Sequence, residues 1–188
     1  PDTNNHVVCT IQSRLSHKLW QSIIGPSEGR TFDEAWLRFP SLLWGMAGIA
    51  LASWLGMRLG GPRLSIILAF LVTVHPWSIR FSTETRGYSA AMAGVLLVMI
   101  ALHSVLTDGS RRWQIWALLA TGLVLSMLSH AACAPVLAGL VGATALILLY
   151  RRDWHSLAAL VAANALAATV FLDLFGPSLP QMSAFMKG

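Results

Sequence analysis

Long apolar runs, broken by short loops that carry arginine pairs, constrain this chain more than any other feature. Six such runs lie at residues 40–59, 64–79, 88–106, 113–129, 135–150 and 157–175. A helix rises 1.5 Å per residue, so about 20 apolar residues cross the hydrocarbon of a bilayer. The run at 64–79 is short and is interrupted by His75-Pro76, which leaves five to six spans. Charged residues make up only 11% of the chain, against about 25% in soluble domains. The expected class is therefore all-α: a polytopic membrane protein with five to six transmembrane helices. The net charge of +5 does not point to nucleic acid, because the basic residues sit in pairs between apolar runs and form no single stripe.

Those pairs set a topology. Arg58 and Arg63 flank Gly60-Gly61-Pro62, Arg111 and Arg112 follow Asp108, and Arg151 and Arg152 precede Asp153. All three loops fall on one side, and the excess of arginine makes that side cytoplasmic. The other face then receives the first forty residues, the segment around Arg80–Tyr88, the turn at His130 and the C-terminal tail. Two regions follow: residues 1–39, an outer-face loop with a helix, and residues 40–188, the transmembrane domain. In the first region Val8, Ile11, Leu15, Leu19 and Ile23 recur every three or four residues. That is an amphipathic helix, expected to lie flat in the interface, with His17 and Lys18 toward the headgroups. Trp20, Trp36, Trp44, Trp77, Trp113, Trp116 and Trp154 cluster near span ends, as an aromatic belt does. Cys9 and Cys133 match no metal spacing and read as isolated thiols. The polar opening at Pro1, without an initiator Met, points to a fragment of a longer protein.

Charge at a membrane boundary is costly and usually functional. His75-Pro76-Trp77-Ser78-Ile79-Arg80-Phe81-Ser82-Thr83-Glu84-Thr85-Arg86-Gly87-Tyr88 places one carboxylate and two guanidinium groups between two apolar runs. Arginine offers a planar fork of donors that matches phosphate oxygens. A neighbouring glutamate can hold that fork or accept from a substrate hydroxyl, and Tyr88 can donate from the start of the next helix. The plainer reading of the same spacing is a solvated ion pair between Glu84 and Arg86.

The order of the motifs adds to this. Asn5-His6, the amphipathic segment, Leu37-Arg38-Phe39-Pro40-Ser41-Leu42-Leu43-Trp44-Gly45, His75-Pro76 and Glu84-x-Arg86-x-Tyr88 follow one another. Over residues 4–105 this resembles glycosyltransferase family 39, whose relatives include protein O-mannosyltransferases and aminoarabinose transferases of the GT-C fold. Val7 stands where the family usually has proline after the histidine. The resemblance implies transfer of a sugar from a polyprenyl-phosphate carrier to a protein, lipid or glycan acceptor. Transfer would take place on the periplasmic face of a bacterial inner membrane, by inverting displacement. A carboxylate acts as general base, and Arg86 with Arg80 stabilises the departing phosphate. Glu84 positions Arg86 or a ligand group, and Tyr88 and His6 touch substrate. The resemblance also implies a catalytic carboxylate close after a membrane helix upstream of Pro1, so that this chain alone would be inactive. Asp2 lies too near His6 to fill that role. The family implies no cofactor and leaves a divalent cation open.

Other residues read as structural. His75-Pro76 is a kink, His130 a helix-end histidine, and Arg38 an interfacial anchor that could also meet phosphate; no role is assigned to Asp173. No histidine–carboxylate spacing makes a metal site. A second function class is a transporter or lipid-handling protein, with Glu84 and Arg86 as a gating or structural pair. A third is a structural membrane subunit. Spans one, three and five carry no acidic residue, which favours a site at the outer face over a path through the bilayer.

Overall fold

The computed structural model describes residues 7–25, 33–108 and 112–176. Among them it contains α-helices and no strand: α1 (Val7–Ile23), α2 (Glu34–Val74), α3 (Pro76–Thr83), α4 (Tyr88–Asp108), α5 (Trp113–Ser129), α6 (Ala134–Tyr150) and α7 (Trp154–Phe175). One 3₁₀ turn, Ala131–Cys133, joins α5 to α6. The stretches 34–74, 88–107, 131–150 and 154–175 are long and apolar enough to cross a membrane, and α5 is apolar but shorter. Large apolar side chains such as Ile66, Phe70, Leu146 and Leu166 face outward. The protein is an all-α membrane protein. His6 and Asp2, singled out by the sequence, lie outside the described residues, as do Gly109, Ser110 and Arg111.

The chain divides into two compact units, one from His6 to Ala93 and one built on the chain from Gly94 onward. In the first, α2 is a hairpin rather than a rod. Gly60 and Gly61 leave helical geometry, and Gly61 has φ +75° and ψ −163°, a region open essentially to glycine alone. The limbs 34–59 and 62–74 then run side by side. Ser53 and Ser65 share a 2.8 Å hydrogen bond across them, and an added Cβ at Gly56 would fall 2.7 Å from the Ser65 Cα. The second limb rises only about 20 Å, short of a membrane crossing by itself. His75 is extended, as the residue before proline tends to be, and Pro76 opens α3 at its first turn. The second expected span is thus broken into two helices.

The first span also starts earlier than its apolar pattern. Asp33 caps α2 by accepting from the Ala35 N–H at 2.8 Å, so Pro40 sits inside the helix rather than at its first turn. Proline there removes the N–H that would bond the Trp36 carbonyl. The Ser16 hydroxyl of α1 supplies the missing donor, at 2.5 Å from the Trp36 O. A second bond fastens α1 to α2: the Trp44 indole donates to Gln12 Oε1 at 2.9 Å. The buried residues of α1 are Ser16 and Trp20, the latter 2% exposed. Its apolar stripe, Ile11, Leu15, Leu19 and Ile23, is turned outward.

In the second unit Val98, Ala101, Leu102 and Val105 of α4 form one core with Leu119 and Leu123 of α5, Leu137 and Leu148 of α6, and Leu160 and Ala163 of α7. Arg151 donates to the Leu106 carbonyl at the end of α4, at 2.7 Å. Asp153 caps α7 through the Ser156 N–H at 3.1 Å.

Candidate functional site

The charged segment is built by α3 and the first turn of α4. Eight helical residues from Pro76 to Thr83 put Arg80 and Glu84 one turn apart, with the Glu84 N–H bonded to the Arg80 carbonyl at 3.1 Å. Arg80 Nε donates to Glu84 Oε1 at 2.7 Å. The Arg80 guanidinium also lies over the Trp77 ring, 5.2 Å from its centroid. Trp77 meets Phe81 at 5.5 Å, and Phe81 meets Tyr88 at 4.6 Å. This row of rings ties α3 to the start of α4.

The pairing corrects one expectation. Glu84 does not hold Arg86: its hydrogen bond goes to Arg80, four residues earlier on the same helical path. The Arg80 hydrogen bond and the positive charges of Arg80 and Arg86 keep the Glu84 carboxyl below the ordinary glutamate range. Arg86 is exposed, and it has no hydrogen bond or ion pair with a described residue. The segment thus presents one committed guanidinium and one uncommitted one. Tyr88 is half-buried, its ring packed on Phe81.

Two other residues weighed from the sequence, Arg38 and His17, have local partners. Arg38 is ion-paired with Glu34, one turn back on α2. His17 stacks on Trp20 and is hydrogen-bonded to Gln21 at 3.1 Å. His75 and His130 flank helix ends, and Asp173 is exposed near the end of α7. Cys9 and Cys133 are free thiols; burial pushes the Cys9 thiol up. Among the described residues no three His, Cys, Asp or Glu side chains gather to hold a metal ion.

Sequence reasoning missed a cavity beside this segment. It has a volume of about 220 Å³ and lies between the two limbs of α2, α3 and the first turns of α4. Its signal was faint: small residues at Gly45, Gly48, Ser78, Ser82 and Ser89, in helices whose pairing no pattern announced. Comparison with protein-family models, curated proteins and solved structures finds no match for this chain.

Proposed function

We propose that this chain belongs to a membrane glycosyltransferase that moves a sugar from a polyprenyl-phosphate carrier to an acceptor at the outer face of a bacterial inner membrane. The observation that carries the reading is Arg86. It is an exposed guanidinium without a described partner, just before a helix long and apolar enough to cross a membrane, on a segment held by the Arg80–Glu84 bond and the Trp77–Phe81–Tyr88 rings. An uncommitted fork of donors beside this packed support suits an anion that gains charge as a bond breaks.

In this reading the acceptor attacks the anomeric carbon and the carrier phosphate leaves. Arg86 meets the phosphate oxygens. Arg80 and Glu84 act as positioning residues, and the proton of the acceptor passes to a carboxylate outside the described residues. The motif order over residues 4–105 supports the family, and the outward apolar stripe of α1 suits a helix lying in the interface. The competing transporter reading needs Glu84 to pair with Arg86, whereas Glu84 bonds Arg80. In the full-length protein Arg86→Ala should lower transfer from a polyprenyl-phosphate-linked sugar by about 10²–10³-fold, the effect of losing one donor to a developing charge. Arg86→Lys should recover part of it. Unchanged turnover in Arg86→Ala would remove the assignment.

A further inference from the structure

Helix α1 has four sides, and their order follows from a turn of about 100° per residue. On one side Gln12 and Ser16 bond groups of α2, and Trp20 beside them is buried. Next round the helix comes the apolar stripe, with Leu19 50%, Ile11 53%, Leu15 61% and Ile23 65% exposed. Arg14 and Lys18 close the far edge of that stripe, and both are exposed. Thr10, Ser13, His17 and Gln21 fill the remaining arc, where His17 and Gln21 are hydrogen-bonded to each other at 3.1 Å.

The two cations have no answer within the fold. α1 contains no Asp or Glu, and neither Arg14 nor Lys18 has a hydrogen bond or ion pair with a described residue. Arg38 and Arg80, in the same unit, are each ion-paired with a glutamate one turn away. Arg14 and Lys18 stand one turn apart, about 6 Å along the helix axis, close enough to share one phosphodiester. The bonds to the Trp36 carbonyl and the Trp44 indole set α1 beside the opening turns of α2, a helix long and apolar enough to cross a membrane. Tryptophan concentrates where the hydrocarbon of a bilayer meets water. At that level an apolar stripe enters the acyl boundary, while lysine and arginine stems lie along it and carry their charges out to the phosphates.

We infer that α1 docks on an anionic phospholipid leaflet, with its apolar stripe in the acyl boundary and Arg14 and Lys18 together holding the phosphodiester of one anionic headgroup. A zwitterionic headgroup offers the same phosphate but brings its own cation, so the pair selects for net negative charge. A second copy of α1 would bring two more cations to the same edge and be repelled. The inference concerns lipid alone and does not depend on sugar transfer.

The experiment uses the full chain in nanodiscs of mixed phosphatidylcholine and phosphatidylglycerol. One arm carries a trace of acyl-photoreactive phosphatidylglycerol, the other the same trace of acyl-photoreactive phosphatidylcholine. Both lipids should label α1 peptides at Leu15 and Leu19, phosphatidylglycerol the more strongly by about fivefold for each cation. At Phe70, on the outward side of the second limb of α2, the two should label about equally. Arg14→Gln and Lys18→Gln should each lower the preference about fivefold. The double variant should remove it and leave α1 labelled by both lipids, because glutamine keeps the helix propensity and only charge is lost. The swap Arg14→Lys with Lys18→Arg should keep most of the preference. The inference is overturned if α1 takes no lipid label, as a stripe covered by protein would, or if both lipids label it equally in the parent. It is also overturned if the double glutamine variant keeps the preference, or if inorganic phosphate at matched ionic strength abolishes it, which would mark a site for a free anion.

Discussion

A carboxylate takes its partner from whichever cation the backbone sets nearest, and at Glu84 that cation is Arg80. The i, i+4 spacing was present in the sequence. It became readable only once Pro76 was seen to open a helix rather than to close one, because an extended segment would leave Arg86 as the nearer neighbour. The consequence is a pH dependence of defined sign. The folded-state value of Glu84 lies below its ordinary 4.5, lowered by the Arg80 bond first and by the two positive charges after it. Its contribution to stability is therefore present above the ordinary value and is lost as pH falls through the lowered one. Carbon-13 NMR of the Glu84 carboxyl should show a midpoint below 4.5. Arg80→Ala should move that midpoint most of the way back, leaving the smaller effect of Arg86. A midpoint at or above the ordinary value in the parent would contradict the pairing.

Between elements, the contact that matters most for α1 arises from an absence. Pro40 deprives the Trp36 carbonyl of its helical donor, and Ser16 of the neighbouring helix restores one. The apolar periodicity of α1 was legible and its outward stripe followed from it. Which side faced the protein was not legible, because the polar part of the docking surface is local: Ser16 and Gln12 of α1 answer the Trp36 carbonyl and the Trp44 indole of α2. The spans were legible because hydrocarbon demands length and apolar composition. The start of α2 was not, since Asp33 caps it well before the apolar run begins. Ser16→Ala should cost about 1–3 kcal/mol by leaving a half-buried carbonyl unanswered. In a Pro40→Ala background, where an intrahelical donor returns, the same change should cost about 0.5 kcal/mol. A double-mutant cycle on unfolding in detergent reads the coupling. Equal costs in both backgrounds would show that Ser16 does not answer the carbonyl freed by Pro40.

At the scale of the whole molecule, lipid changes what holds helices together. Acyl chains are as apolar as leucine, so burial against a neighbouring helix gains little, and close approach of backbones at small residues takes over. In the unit that begins at Gly94 this occurs where α4 meets α5. A Cβ added at Gly94 would lie 2.9 Å from the Gly122 carbonyl oxygen, and one added at Gly122 would lie 2.8 Å from the Gly94 carbonyl oxygen. The Ser126 hydroxyl, folded back onto the Gly122 carbonyl at 2.7 Å, also sits where a side chain at Gly94 would go. Glycines elsewhere differ: at Gly139 a Cβ would meet open space. Composition could not separate the two kinds, because both are single glycines in apolar helices and only the contact distinguishes them. Gly122→Ala should lower unfolding stability in micelles by about 1–3 kcal/mol through overpacking. Gly139→Ala should be neutral or gain up to ~1 kcal/mol from helix propensity. If Gly122→Ala melted with or above the parent, backbone contact at this seam would not be what holds α4 against α5. The measured difference between the two alanines thus tests whether helix association here depends on close approach rather than on apolar area.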